Sequence, residues 1–268
     1  MRVIDLNNDF VIRKSIDDVI LKKNYVLHTH DTMHEIILFI SGDCEFYVEG
    51  NIYKLNPYDI VIASNNELHR MVHNSPQKYD RYLININTDF FAKNNCIGLE
   101  NIFKKQTPGT YNYISADVVK KTKIIDLIEK TNAYFLEGEA VVAKCVLIEL
   151  LYTINKVSHP MPYEGITSKY ILDIVAYINQ NLSDDLSLPT LSEKFHISQA
   201  HISRLFKKHM KMSVKKYITY KRLILVRELC LSKESLLNAS LAAGFSNYSS
   251  FYRSYVKEFH HPPKLDLK

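Results

Sequence analysis

The sequence predicts an α+β protein in two domains: a β-rich N-terminal half closed by two helices, then an all-α C-terminal domain. Three observations lead there. Short apolar runs separated by turn residues fill the region from about 25 to 87, the apolar period turns helical beyond Gly109, and the last third repeats one helical pair at fixed spacing. The chain has 268 residues, 46% of them apolar, which is enough for two cores at about 100 to 200 residues per domain.

The β-rich runs include Glu35 to Ile40, Glu45 to Val48, Ile60 to Ile62 and Arg81 to Ile86, broken by Gly42, Gly50-Asn51 and Asn56-Pro57. Strands this short, with turns this regular, predict a small barrel or sandwich. Past Thr107-Pro108-Gly109, Val118, Ile124, Ile125, Leu127 and Ile128 mark one helix, and Val141, Val142, Cys145, Val146, Ile148, Leu150 and Leu151 a second. The second is apolar around much of its girth, so it either lies buried or packs against a second copy of the chain. A homodimer is the expectation.

Ser158 to Gly165 holds two prolines, each lacking an amide donor and restricting the residue before it. This sets the expected division: domain 1–157, linker 158–166, domain 167–268. A helix is expected to begin near Thr167-Ser168, with Tyr170, Ile171, Ile174, Val175 and Ile178 on one face.

Shifted by 49 residues, the C-terminal segment superposes Leu188 on Leu237, Ser198 on Asn247, Ile202 on Phe251, Arg204 on Arg253, Phe206 on Tyr255 and Lys208 on Lys257. Each copy reads as a short helix, a tight turn and a second helix: 188–195 then 198–209, and 236–243 then 247–259. Ser198 and Asn247 suit the N-cap, and Gly244 suits a left-handed turn.

At 100° per residue, Ile202, Leu205 and Phe206 share one face of the first long helix, while Ala200, Ser203, Arg204, Lys207 and Lys208 lie opposite. In the second, Phe251, Ser254 and Tyr255 point inward and Ser249, Tyr252, Arg253 and Lys257 outward. This division suits helix-turn-helix units, whose second helix enters the major groove of double-stranded DNA. Arg204 and Arg253 are the expected guanine readers, with Gln199, Ser203, Ser249 and Tyr252 as secondary contacts, and Lys207, Lys208 and Lys257 on phosphates. A continuous helix from Ser213 to about Cys230 joins the units; at 1.5 Å per residue it is roughly 25 Å long, so the two readers could lie about one DNA turn apart.

These residues, together with Leu191-Ser192, Ile197-Ser198, Ile202 to Lys207, Ala242-Ala243-Gly244-Phe245, Phe251-Tyr252-Arg253 and Pro263, resemble the DNA-binding domain of the AraC/XylS family over about residues 167 to 264. The resemblance implies seven helices, two helix-turn-helix units and transcriptional control, usually activation and hence contact with RNA polymerase. Departures are present. Lys211 and His260 stand where the family usually has glycine after each recognition helix, Ala239-Ser240 replaces an Ile-Ala pair, and Val256 replaces a lysine.

In the N-terminal half, His28 and His30 fall on one side of an extended segment, Glu35 follows, Gly42 comes seven later, and His69 lies beyond the strand at 60–62. The set is similar to the cupin pattern H-x-H-x4-E-x6-G with a distant histidine, and so implies a cupin-like barrel. Lys22, Tyr58, Ser64 and Asn66 depart from it. The expectation is an effector pocket lined by His28, His30, Glu35 and His69, with Tyr47 and Tyr82 added although their inward parity is not fixed by the sequence. No cofactor is expected. The alternative reading puts one divalent metal on His28, His30, Glu35 and His69. Family analogy implies a small polar effector such as a sugar or organic acid.

Charge supports the division of labour: residues 161–268 hold 16 Lys+Arg against 9 Asp+Glu, leaving 18 against 20 for residues 1–160. The four cysteines have no C-x-x-C spacing, and no signal peptide or membrane span is legible, so a cytoplasmic location is expected. No catalytic residues are identified, since phosphate loop, nucleophile triad and nucleotide fingerprint are all missing. The reading is therefore a sequence-specific DNA-binding transcription regulator answering to a small effector. Its competitors are a metal-dependent cupin enzyme with an accessory DNA-binding domain, and a ligand-independent architectural protein.

Overall fold

A computed structural model describes residues 9–18, 27–30, 32–104, 108–158, 169–231 and 234–265. The chain divides into two compact units, Met1–Ile166 and Thr167–Lys268. The expected linker from His159 onward and the helix start at Thr167-Ser168 lie outside the described residues, as does Lys22.

The first unit carries β1 (Phe10–Asp17), β2 (Met33–Ser41), β3 (Cys44–Val48), β4 (Asn51–Lys54), β5 (Ile60–Ala63), β6 (His69–His73), β7 (Tyr79–Asn87), α1 (Phe90–Lys93), a 3-10 turn at Ile97–Ile102, β8 (Tyr113–Ile114), α2 (Ala116–Val119), α3 (Ile124–Glu137) and α4 (Ala140–Val157). Five strands form one antiparallel sheet in the order β1-β7-β2-β5-β8; the others form a second, β4-β3-β6. β1 is an element that the β-rich window starting near residue 25 misses, although Phe10 and Ile12 alternate and are buried.

The larger sheet is buried on both faces, and strand parity decides which core each residue joins. Ile36, Leu38, Ile60, Ile62, Tyr82, Ile84 and Ile86 face α3 and α4, meeting Ile124, Leu127, Ile128, Leu147, Leu150, Leu151 and Ile154. Their strand neighbours Ile37, Phe39, Val61, Ala63 and Leu83 face the smaller sheet, meeting Phe46, Val48, Tyr53 and Met71. At about 1.5 to 3 kcal/mol per fully buried large apolar side chain, these two layers hold the unit together. α4 buries Ala143, Leu147, Leu150, Leu151 and Ile154. Val141, Val142 and Tyr152 of the same helix remain exposed.

The second unit is helical: α5 (Lys169–Gln180), α6 (Leu188–Phe195), α7 (Gln199–His209), α8 (Val214–Leu231), α9 (Leu236–Ala242), α10 (Tyr248–Phe259) and a closing 3-10 turn at Pro263–Leu265. α5 buries Ile171, Ile174, Val175 and Ile178. Tyr170, expected on that face, is 51% exposed and instead sets its ring edge toward His201. α8 is the shared beam. Tyr217 meets Phe206 of α7 and accepts a 2.7 Å bond from Asn179 of α5. Leu223 and Val226 join Ala239, Ala243, Phe245, Phe251 and Tyr255 of the second helical pair. Because it serves both sides, α8 is buried at Val214, Tyr217, Ile218, Tyr220, Lys221, Leu223, Ile224 and Val226, more than one stripe's worth.

Candidate DNA-binding and effector sites

Each recognition helix starts with a formed cap. Ser198 is extended and its Oγ accepts from the His201 amide at 3.2 Å; Asn247 is extended and its Oδ1 accepts from the Ser250 amide at 2.9 Å. Such a cap is worth about 1 kcal/mol. The supporting helices α6 and α9 are capped in the same way by Ser187 and Ser235.

The two turns differ by one residue. In the first, His196 takes the left-handed conformation at φ 55°, with Ile197 alone between it and the Ser198 cap. Ser192 fixes this turn by donating to the Ile197 carbonyl at 2.7 Å. In the second, Gly244 is left-handed at φ 90°, and Phe245 and Ser246 precede the Asn247 cap. Lys211 and His260, the residues at the family's glycine positions, are also left-handed, at φ 53° and 61°.

On α7, Ile202, Leu205 and Phe206 are buried, while Gln199, Ala200, Ser203, Arg204, Lys207 and Lys208 are exposed. On α10, Phe251 and Tyr255 are buried and Ser249, Tyr252, Arg253 and Lys257 exposed. Every residue chosen as a DNA contact thus lies on a solvent face of its helix. The sequence reading missed a basic cleft of about 730 Å³ beside α10, lined by Ser213, Lys215, Lys216, Thr219, Lys257 and His260 among others. Lys215 and Lys216 open α8, and the reading treated that helix only as a spacer.

In the first unit, His28, His30, Glu35 and His69 come together. His28 and His69 exchange backbone hydrogen bonds of 3.0 and 2.9 Å, an isolated bridge rather than a full strand, and the His30 amide donates to the Asn65 carbonyl at 3.1 Å. The three ring centroids lie 4.6 to 5.2 Å apart. Glu35 lies on β2 with Oε2 3.2 Å from His30 Nε2 and Oε1 3.5 Å from His69 Nε2. Asn85, its partner across to β7, donates to Oε2 at 3.4 Å. Burial works against the Glu35 charge, yet hydrogen bonds from His30 and His69 hold its carboxyl well below the usual range. For His69 burial alone would favour the neutral ring; the bond to Glu35 and its charge overcome this and raise it.

These four residues line one cavity of about 240 Å³ with Arg13, Met33, Ile37, Phe46, Met71, Tyr79, Arg81, Leu83 and Asn85. Two expected members are not there. Tyr47 stands on the opposite face of β3 from Phe46, where its hydroxyl donates to Glu45 at 3.0 Å and its ring lies under Arg70. Tyr82 has the parity of Ile84 and Ile86 and packs in the layer below α3 and α4. The cavity takes Arg81, Leu83 and Asn85 from that strand instead. A signal for this was present, since a strand as apolar as 79–87 carries Arg81 and Asn85 on one parity.

One family match falls in each unit. Residues 22–100 match the AraC-like ligand binding domain, and residues 191–266 match a helix-turn-helix domain. The chain is 30% identical over 121 residues to Regulatory protein PocR of Salmonella typhimurium, covering 40% of this chain and 39% of that protein. It is 36% identical over 92 residues to the HTH-type transcriptional regulator YobQ of Bacillus subtilis, covering 34% and 38%. It is 20% identical over 244 residues to the Lactose operon transcription activator of Staphylococcus xylosus, covering 88% and 83%. The matches to the first two thus span under two fifths of those proteins' own length. No helix among the described residues is long and apolar enough to cross a membrane. With an AraC-like ligand binding domain ahead of a helix-turn-helix domain, the chain belongs to the AraC-type transcriptional regulators.

Proposed function

We propose that the chain binds specific double-stranded DNA sites and regulates transcription, with α7 and α10 as the reading helices and the N-terminal cavity as the seat of a small polar effector. The observation that carries this is the pair of capped helices, each apolar beneath and bearing an exposed arginine, Arg204 and Arg253, among small and basic neighbours. Such a face can approach base edges in the major groove, while Lys207, Lys208 and Lys257 meet phosphates.

Activation through RNA polymerase is the mode proposed, supported by the kinship with a transcription activator. A homodimer is proposed through α4, whose Val141, Val142 and Tyr152 offer apolar surface to a second copy. An effector shifts such a regulator only if it binds two states with different affinity. Arg81 and Asn85, facing the cavity beside Glu35, supply the groups that would orient it.

The test is fluorescence anisotropy of the full chain on DNA upstream of its own gene and on scrambled duplex, at several salt concentrations. Preference for the upstream DNA that persists as salt rises supports the reading. Equal affinity for both sequences, declining together with salt, would leave only non-specific charge attraction.

A further inference from the structure

The basic cleft beside α10 is built from two helices, and its chemistry differs from that of the N-terminal cavity. α8 supplies Lys215, Lys216 and Thr219, with Ser213 just ahead of it, and α10 supplies Lys257 and Glu258, with His260 just behind. Three lysines thus stand against one glutamate. The cleft measures about 730 Å³ and the effector cavity about 240 Å³. Lysines and hydroxyls around so wide a cleft suit a phosphate chain, whereas a small molecule is enclosed by a mostly apolar wall.

The cleft is continuous with the reading surface. Ser249, Arg253 and Lys257 follow one another at four-residue spacing on α10, so they share one side of the helix, and all three are exposed. Lys215 and Thr219 share one side of α8 by the same spacing. α7 ends at His209 and α8 begins at Val214, so Lys207 and Lys208 lie one short turn ahead of the cleft.

Packing between the helices sets the width of the cleft. The Tyr220 and Phe259 rings lie 6.4 Å apart between centroids, and the Arg227 guanidinium stands 4.9 Å over the Phe259 ring. Lys216 Nζ lies 3.7 Å from Glu258 Oε1, with the lysine 57% exposed. Such a pair is worth little in water, so a phosphate can take the lysine from it. Ser213 Oγ accepts from the Lys216 amide at 3.2 Å, which leaves its own O–H to donate.

We infer that this cleft seats the sugar-phosphate strand running between the two stretches of groove read by α7 and α10, with Lys215, Lys216 and Lys257 on its phosphates. α8 is then a DNA-contacting element as well as a beam, and it fixes how far apart the two read segments lie. The inference rests on the DNA-binding reading and adds Lys215 and Lys216 to it.

The experiment uses the full chain on the upstream and the scrambled duplex at several salt concentrations. Lys215→Ala and Lys216→Ala together are expected to weaken both duplexes by the same factor, at least about tenfold at about 0.1 M salt, and to reduce the logarithmic salt slope by about 2. Base preference in selection from randomised duplexes is expected to stay unchanged, which separates these lysines from Arg204. Lys121→Ala with Lys130→Ala removes the same charge from exposed positions of the N-terminal unit and is expected to leave the slope as it was. A single methylphosphonate, walked along each strand of the preferred site, is expected to weaken the unaltered chain between the read segments and to have no effect there on the double variant. Circular dichroism checks that each variant is folded.

A folded Lys215→Ala, Lys216→Ala chain with an unchanged slope overturns the inference. So does one-to-one binding of inorganic pyrophosphate that the double variant loses, which would give the cleft to a soluble phosphate ligand, or a polyglutamate peptide that displaces the scrambled duplex at equal charge. Equal affinity of the unaltered chain for both duplexes would instead remove the sequence-specific reading, and the slope on scrambled duplex would still decide whether a strand lies in the cleft.

Discussion

The α-carbon of Gly244 packs directly against the main-chain carbonyl of Leu182, the same oxygen that accepts a 2.8 Å bond from Arg222 Nε. A β-carbon at this position would stand deep inside contact with that oxygen and about 3 Å from the guanidinium, on a backbone already at φ 90°. Arg222, on α8, also donates to the Asp184 carbonyl at 2.8 Å, so α8 is fastened to the loop after α5 and the turn before α10 packs against that junction. Gly244→Ala is expected to cost about 2 to 4 kcal/mol, from left-handed strain plus a clash with rigid backbone. Gly138→Ala, at φ 83° with nothing nearby, is expected to cost only about 1 kcal/mol. Urea denaturation compares the two, and equal losses would refute the steric argument.

Lys211 and His260 hold left-handed backbone that glycine adopts without penalty. A side chain there costs about 1 to 2 kcal/mol, against which glycine costs about 0.5 to 1 in unfolded-state entropy. Lys211→Gly and His260→Gly are therefore expected to stabilise the helical unit by roughly half a kcal/mol each. A fall in midpoint for either variant contradicts this.

Arg204→Ala is expected to weaken specific DNA binding by about 1 to 3 kcal/mol and to relax preference at one base position, as read by selection from randomised duplexes. Lys207→Ala, on the same exposed face, should weaken all sequences alike and reduce the logarithmic salt slope by about 1. An Arg204→Ala protein with unchanged sequence preference would remove that residue from the reading set.

His209 is buried on α7 with neither ring nitrogen hydrogen-bonded. Burial, and after it the charges of Lys208 and Lys211, hold its pKa below the ordinary 6.5. The unfolded chain therefore takes up this proton first. Its contribution to stability is complete above about pH 6.5, falls as pH drops through that value, and levels off below the folded pKa. Calorimetric midpoints between pH 7.5 and 5.5 should fall less for His209→Leu than for the unaltered chain; parallel curves would assign the acid sensitivity elsewhere.

Much of the helical unit was legible because its signals are local. Ser198 and Asn247 act on amides three residues ahead, and the inward faces of α7 and α10 follow from helical period alone. The cavity was legible only in part. His28, His30, Glu35 and His69 fall into a recognisable spacing, but Tyr47 and Tyr82 required knowing which parity of a strand buried on both faces turns inward. Apolar content cannot decide that where both sides are covered. β1 escaped for a related reason: its outer half, Arg13 to Asp17, is largely polar, and its place is set by pairing with β7, far away in sequence.

β7 presents Arg81, Leu83 and Asn85 to the cavity and Tyr82, Ile84 and Ile86 to the layer under α3 and α4. Cavity and helical roof are therefore upholstered from a single ribbon, with adjacent residues serving alternate rooms. Arg81 and Tyr82 are one peptide link apart, so a shift of the β7 backbone between them would be felt on both faces of the sheet at once.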